Sequence, residues 1–194
     1  MNSTLIWTIA IAALVIVVAW IIKKKMPVGP DIPAGLRKGE KLPEFSAIHE
    51  DGSAVNSSDL LGNPAVILFV RGNWCPFCSK QVEEITSHYK SLSDLGAKLI
   101  LITPKPLDTT RRVAEMFGVE FDFWLDESLH IAKSFGILLT EGVPESQYKE
   151  YGHNTFWPTV LVVDKDGVIR YSKLSRLLFD RPDSVVLVKE LKKL

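Results

Sequence analysis

Short apolar runs alternate with segments of helical periodicity along most of this chain. A continuous apolar run is typical of a strand that is buried on both faces of a sheet. Apolar positions that recur every three or four residues and end at a glycine predict a helix. On this basis the buried strands are 65–70, 98–103 and 159–163, and the helices are 75–95, 107–117, 128–135 and 183–194.

Asp-Gly turn signals predict a hairpin on each side of this pattern. The paired strands are 44–49 with 54–56, and 159–163 with 168–172. The element order is then a hairpin, a βαβ unit and a closing ββα unit. This order predicts an α/β fold with a mixed central sheet flanked by helices. The polar segment 138–154 is predicted to be irregular.

The N-terminal segment has a different pattern, because residues 5–22 are apolar except for Thr8. A helix of this length spans about 27 Å, close to the hydrocarbon thickness of a bilayer. Trp7 and Trp20 lie near the ends of the run, where indoles favour the membrane interface. A cleavable signal peptide is disfavoured, since no basic residue precedes the run. The sequence therefore predicts one transmembrane helix within an anchor over residues 1–25.

This run is followed by Lys23, Lys24 and Lys25, and the positive-inside rule then places the main domain in the cytoplasm. A domain on the opposite side of the membrane is the alternative. Residues 26–41 contain three prolines and three glycines and are predicted to be a linker that holds the domain off the bilayer. The remaining residues, 42–194, are predicted to form one domain.

Composition excludes several classes of function. The chain has 23 basic and 23 acidic residues, so it lacks the basic excess of a nucleic-acid-binding protein. Its two cysteines, Cys75 and Cys78, are too close in sequence for a disulfide between them to stabilise the fold by much. None of the four histidines has metal-ligand spacing to them, so neither a metal nor a cofactor is expected. Redox chemistry is favoured over a pair of buried structural thiols.

The two cysteines are predicted to lie where a helix begins, directly after a buried strand. Free N–H groups and the helix dipole favour an anion there, so the pKa of Cys75 should be low and Cys75 should be the nucleophile. Pro76 suits the first helical position. Cys78, one turn further on, is placed to attack a mixed disulfide at Cys75. Arg71 is a candidate cation beside them.

Trp157 and Pro158 lead directly into the last buried strand. A proline is tolerated at the first residue of a strand, and an X-Pro bond there can be cis, which would expose a backbone edge to an extended substrate. An ordinary loop proline is the alternative. His153 is a further candidate to approach the cysteines.

These residues resemble a known family. The segment Trp-Cys-Pro-Phe-Cys at 74–78 is similar to the thioredoxin active site, and Trp157-Pro158 is similar to the cis-proline segment opposite it. The pattern over residues 39–172 resembles the alkyl hydroperoxide reductase/thiol-specific antioxidant superfamily, the peroxiredoxins and their redoxin relatives. The resemblance implies a thioredoxin-like fold, with catalytic Cys75 and Cys78 and supporting Arg71, Trp74, Pro76, Trp157 and Pro158.

The chain also departs from the family patterns. Peroxiredoxins carry Pro-x-x-x-Thr-x-x-Cys, and Leu68 and Gly72 stand in the places of that proline and threonine. Thioredoxins carry Gly-Pro between their cysteines and a carboxylate on the preceding strand, and this chain has neither. Its motif is closest to that of peroxiredoxin-like proteins with Arg-Gly-x-Trp-Cys-Pro-x-Cys.

Three functions remain open at this point. The first is a membrane-anchored thiol–disulfide oxidoreductase that cycles Cys75 and Cys78 between dithiol and disulfide, with a protein dithiol or another thiol donor as its partner. The second is a thiol peroxidase, in which peroxide oxidises Cys75 to a sulfenic acid that Cys78 captures. The third is a non-enzymatic membrane assembly factor. No nucleic-acid partner is expected, and the oligomeric state is open.

Overall fold

The computed structural model describes residues 3–25, 28–116, 118–177 and 179–194, with the side chains of residues 3–6, 19, 21–25, 109 and 113 left out. Within this part of the chain the strands are β1 Ser46–His49, β2 Ala54–Asn56, β3 Ala65–Phe69, β4 Lys98–Thr103, β5 Asp122–Leu125, β6 Leu138–Leu139, β7 Thr155–Phe156, β8 Thr159–Val163 and β9 Ile169–Leu174. The helices are α1 Ser3–Lys25, α2 Pro76–Ser87, α3 Tyr89–Ser93, α4 Asp108–Met116, α5 His130–Ser134, α6 Tyr148–Tyr151 and α7 Ser184–Leu191.

The main sheet is mixed, with its strands in the order β2-β1-β5-β4-β3-β8-β9. β3 and β4 pair in parallel, as do β4 and β5, whereas β3 pairs with β8 in antiparallel fashion. β1 and β2 form the predicted N-terminal hairpin. The prediction of a mixed central sheet with an N-terminal hairpin is therefore confirmed.

β3 separates two apolar clusters, because successive side chains of a strand point to opposite faces. Ile67 and Phe69 join one cluster, together with α5 residues. Val66 and Leu68 join the other, together with both cysteines and residues of α2 and α7. The strand is buried along its whole length, which explains its continuously apolar sequence. The segment that leads to Cys75 therefore begins at the C-terminal end of a strand in the centre of the core.

One buried carboxylate fixes the turn between β8 and β9. Asp164 Oδ1 accepts hydrogen bonds from the N–H of Asp166 at 3.0 Å and of Val168 at 2.9 Å, and Oδ2 accepts one from Arg170 Nε at 2.6 Å. Burial acts to raise the pKa of Asp164, but the Val168 N–H and the Arg170 guanidinium outweigh it and hold the pKa below its usual range. The charged form therefore stabilises the hairpin that forms one edge of the sheet.

The segment predicted to be a linker lies against the domain. Gly29 donates its N–H to the carbonyl of Arg176 at 2.6 Å, and a Cβ added to it would lie 2.9 Å from Cε3 of the Trp157 ring. Leu36, in a short 3-10 turn, is almost completely buried. Lys41 forms an isolated antiparallel bridge with Val168. These contacts join residues 29–41 to the β9 side of the sheet.

One predicted helix and the segment predicted to be irregular differ from the structure. The predicted helix 75–95 ends at His88 and resumes as α3. The segment predicted to be irregular contains β6 and α6, and β6 pairs with β7 in a separate two-stranded sheet. A strand of two residues carries no readable periodicity, so this pairing depends on the tertiary fold.

The structure corrects the prediction of a membrane anchor. A crossing requires about 20 consecutive apolar residues in a helix, and none of the helices, in the portions that the structure describes, is long and apolar enough to cross a membrane. The predictions of a transmembrane helix within residues 1–25 and of a membrane location with a cytoplasmic domain are therefore wrong. The lysine side chains at 23–25, on which the orientation depended, lie outside the described side chains.

We expect Asp164→Asn to lower the free energy of unfolding by about 2 kcal/mol at neutral pH, because hydrogen bonds to a charged, buried group are among the stronger ones. The native pKa of Asp164 lies below its unfolded value, so the stabilisation is present above the unfolded pKa and is lost as the pH falls through the native pKa. Urea unfolding across this range measures it. If the variant and the wild type still differed by the same free energy of unfolding at the acid end of the range, the stabilisation would not come from the charge of Asp164.

Candidate active site

Cys75 is the N-cap residue of α2, and it lies at the end of the short segment that follows β3. Its Sγ accepts a hydrogen bond from the Cys78 N–H at 3.3 Å, which satisfies one of the free N–H groups at the helix start. Pro76 occupies the first turn of α2, where a backbone N–H would have no partner within the helix, so the missing N–H of proline costs nothing. Cys75 and Cys78 are 0% and 2% exposed, and both are free thiols in this structure. The sulfurs therefore lie beneath the surface rather than on it.

Arg71 brings a positive charge to the Cys75 sulfur. Its Nη2 lies 3.2 Å from Cys75 Sγ, and the guanidinium lies over the Trp74 ring, 4.7 Å from its centroid. The side chain is only 4% exposed, and within the described residues no carboxylate forms an ion pair with it. A buried cation without a partner is strongly unfavourable. The arrangement therefore favours Cys75 as a thiolate.

The two thiols have opposite electrostatic environments. The hydrogen bond from the Cys78 thiol, followed by the charge of Arg71, lowers the pKa of Cys75 to about 5. The same hydrogen bond, together with burial, raises the pKa of Cys78 well above its usual value. At neutral pH the pair therefore holds one negative charge, located on Cys75.

Gly72 occupies the place of the peroxiredoxin threonine, and its surroundings leave no room for a side chain. Its φ is +144°, and a Cβ there would lie 2.6 Å from Tyr151 Cε1 and 2.8 Å from Trp74 Nε1. The Trp74 and Tyr151 rings meet edge to face, with centroids 6.3 Å apart. Aromatic rings therefore fill the space that a threonine side chain would need.

Several buried N–H donors near the sulfurs are without partners among the described residues, and two of them lie in the segment just before Cys75. These two are Arg71 Nε and Trp74 Nε1. Buried polar groups are normally hydrogen-bonded, and an exception at a site calls for a functional explanation. Thr155, itself fully buried, donates its hydroxyl to the Arg71 carbonyl at 3.4 Å and so holds the backbone of this segment. The site thus offers donors that a small oxygen-containing molecule could use.

Pro158 directly precedes β8 and lies beside the end of β3, since the register pairs Thr159 with Phe69. No peptide bond in the described part of the chain is cis, so the expected cis bond before Pro158 is absent. The Trp157 N–H already donates to the Ile137 carbonyl at 2.7 Å, and the Pro158 carbonyl accepts from the Ser175 N–H at 2.8 Å. Trp157 packs in the cluster on the face of the sheet away from the cysteines. These two residues therefore support the fold and offer no free backbone edge at this point.

Three residues change the picture of the site drawn from sequence. His153 does not join the cysteines, because it pairs with Glu141 and stacks on Tyr148. Tyr151 was missed, although its ring forms one wall of the site. Arg181 was also missed, although its Nη2 lies 3.7 Å from Cys78 Sγ. Neither contact follows from local sequence, since Tyr151 lies 78 residues after its partner Asn73 and Arg181 lies 103 residues after Cys78.

Known proteins resemble this chain in both sequence and fold. The sequence profile of the AhpC/TSA family matches residues 38–172. Peroxiredoxin Q, chloroplastic, of Oryza sativa subsp. japonica is 27% identical over 135 residues, which cover 69% of this chain. The aligned region covers 57% of that protein, so the chain matches little more than half of its length.

Solved structures show the same fold. Peroxidoxin BcpB from Mycobacterium tuberculosis superposes with a TM-score of 0.65 at 18% identity, covering 82% of this chain and 98% of that one. The thiol peroxidase from Chromobacterium violaceum superposes with a TM-score of 0.64 at 21% identity, covering 87% and 91%. The predicted thioredoxin-like α/β fold is therefore confirmed.

We expect Arg71→Gln to raise the pKa of Cys75 by about one to three units, because an opposite charge in contact with a thiolate lowers its pKa by that much. The ultraviolet absorbance of the thiolate as a function of pH measures this shift. Arg176→Gln is the matched control, since Arg176 pairs with Asp31 and the Gly29 carbonyl. Equal titration curves for Arg71→Gln and the wild type would contradict the assignment.

We expect Gly72→Ala to destabilise the protein by about 3 kcal/mol, because it combines a strained φ with overlap against the buried Tyr151 ring and the partly buried Trp74 ring. Gly39→Ala is the matched control: Gly39 has a φ of +97° but nothing within 4 Å of an added Cβ. The control should lose only about 1 kcal/mol, the strain of the φ alone. Equal losses in urea unfolding would show that the rings do not confine Gly72.

Proposed function

Because the chain belongs to the AhpC/TSA family, we propose that it is a thiol peroxidase in which Cys75 reduces a hydroperoxide and Cys78 closes a disulfide with it. The observation that carries this proposal is the Arg71 guanidinium 3.2 Å from a buried Cys75 sulfur. It supports a thiolate, which is the form of cysteine that attacks peroxides. The peroxidase names of the compared proteins, peroxiredoxin Q and thiol peroxidase, agree with it.

In the first step the Cys75 thiolate attacks the terminal oxygen of the hydroperoxide. The S–O bond forms as the O–O bond breaks, so sulfur is oxidised to the sulfenic acid and the peroxide is reduced to an alkoxide, which takes up a proton to become an alcohol. Arg71 Nε and Trp74 Nε1, two of the buried donors without partners, are suited to hold the peroxide oxygens. They supply hydrogen bonds at a site where Gly72 provides no hydroxyl.

In the second step Cys78 attacks the oxidised sulfur of Cys75. A disulfide forms, and the sulfenic oxygen leaves as water after accepting a proton. The first turn of α2 holds the two residues together, since the Cys78 N–H already contacts Cys75 Sγ. A thiol donor, such as a protein dithiol, then returns two electrons and restores both thiols.

Thiol–disulfide exchange at the same pair is the second candidate function. Two observations favour it: both cysteines lie in one helical turn, and the threonine of the peroxiredoxin pattern is replaced by Gly72. In this reaction Cys75 attacks a disulfide sulfur of a partner, and Cys78 releases the reduced partner from the mixed disulfide. In both candidate functions Cys75 reacts first and Cys78 second. They differ in the molecule that Cys75 attacks, which is a peroxide in one and a disulfide in the other.

Stopped-flow oxidation with hydrogen peroxide tests the peroxidase proposal. The wild type should react much faster than a free thiol, Cys75→Ser should not react, and Cys78→Ser should accumulate a sulfenic acid that dimedone traps. Arg176→Gln, which keeps both cysteines, should match the wild type. A wild-type rate equal to that of a free thiol would overturn the peroxidase, and rapid reaction with a small disulfide instead would establish the second candidate.

A further inference from the structure

Arg181 is a second arginine beside the sulfurs, and it has no role in the reaction proposed at Cys75. It lies in the segment between β9 and α7, and its Nη2 faces Cys78 Sγ at 3.7 Å. Arg71 faces the other sulfur, Cys75. The site therefore contains two cations, and each is directed at a different cysteine.

The carboxylates next to Arg181 in sequence are already engaged. Asp180 forms an ion pair with Lys173 at 2.8 Å. Asp183 caps α7 by accepting the Val185 N–H at 2.8 Å. No ion pair of Arg181 itself occurs among the described residues, and its buried Nε and Nη1 have no hydrogen-bond partner there. Its charge is therefore left uncompensated where it meets Cys78.

The electrostatic surroundings of Cys78 change during the cycle. In the reduced protein the hydrogen bond to Cys75, burial and the charge of Cys75 all raise the pKa of Cys78. The charge of Arg181 and the backbone N–H of Arg71 lower it. When Cys75 becomes a sulfenic acid or a mixed disulfide, the negative charge next to Cys78 disappears. Arg181 then acts on Cys78 without an opposing thiolate, at the step where Cys78 must lose its proton to attack.

We propose that Arg181 is the counter-cation of the Cys78 thiolate and promotes the resolving step specifically, while Arg71 serves the first step. This inference rests on the dithiol cycle of the proposed function. The proton lost by Cys78 passes to solvent or to the leaving group, and the Cys78 sulfur then attacks Cys75 to close the disulfide. Arg181 takes part by stabilising charge and forms no covalent bond.

Methyl methanethiosulfonate tests the inference without using peroxide. The Cys75 thiolate takes its thiomethyl group and releases methanesulfinate, forming a Cys75–S–S–CH₃ mixed disulfide. Cys78 then displaces methanethiolate and forms the Cys75–Cys78 disulfide. Rapid acid quenching and mass spectrometry over a range of pH give separate rates for the two steps.

We expect Arg181→Gln to raise the pH midpoint of the second step by about one unit, through loss of one nearby cation. Raising the pKa of a thiol also makes its thiolate more nucleophilic, so the variant should be about threefold slower below the midpoint and faster than the wild type above it. The first step should keep its wild-type midpoint, because the Arg71 contact is retained. Arg181→Lys, which keeps the charge, should restore most of the wild-type profile.

The matched control is Arg176→Gln, which removes a positive charge from the same segment but from a side chain paired with Asp31. It should leave both pH profiles unchanged. An unshifted second-step profile in Arg181→Gln would overturn the inference. Uniform slowing of both steps at every pH, without rescue by lysine, would also overturn it, as it would indicate a structural role. A wild type that closes its disulfide with the thiosulfonate but ignores peroxide would refute the peroxidase alone.

Discussion

Arg71 carries a positive charge into an apolar interior and lies against the Cys75 sulfur, and much of the surrounding structure serves to keep it there. Its backbone continues from β3, which is buried along its whole length, and Thr155 holds its carbonyl. Its guanidinium lies over Trp74, which leaves one edge directed at the sulfur. Without a thiolate this charge would be buried and unpaired, which is costly. Fold stability and the ionisation of Cys75 are therefore linked.

The aromatic walls of the site have a related role. Trp74 and Tyr151 occupy the volume beside Gly72 and exclude both a side chain and bulk solvent from it. Low polarity around the thiolate strengthens its interaction with each nearby cation. The pKa of Cys75 is therefore lowered without the threonine of the peroxiredoxin pattern, by the hydrogen bond from Cys78 and by the Arg71 guanidinium.

The sequence predicted the parts of the molecule that depend on local pattern. Strands such as β4 were found because a short, continuously apolar run is typical of a strand covered on both faces, and Cys75 was placed at a helix start because a strand, a turn and Pro76 precede the helical spacing. Arg71 was found because it lies one short turn before Cys75. Arg181 and Tyr151 could not be found in this way, since only the packing of the finished sheet brings them to the cysteines. The membrane prediction rested on the length of the apolar run, the tryptophans near its ends and the lysines that follow it, and no described helix supports it.

Burial of both sulfurs has a consequence for the reduction step of the proposed cycle. A small oxidant needs little space, but a reductant the size of a protein can reach the Cys75–Cys78 disulfide only if the first turn of α2 separates from its neighbours. Local opening of this kind has its own free energy, which is set by packing and hydrogen bonds. The fraction of time that the helix start spends open then multiplies the rate of reduction. In the proposed cycle this conformational equilibrium would limit turnover, and side-chain packing around the helix start, such as that between the exposed Phe77 and Phe179 rings, would contribute to it.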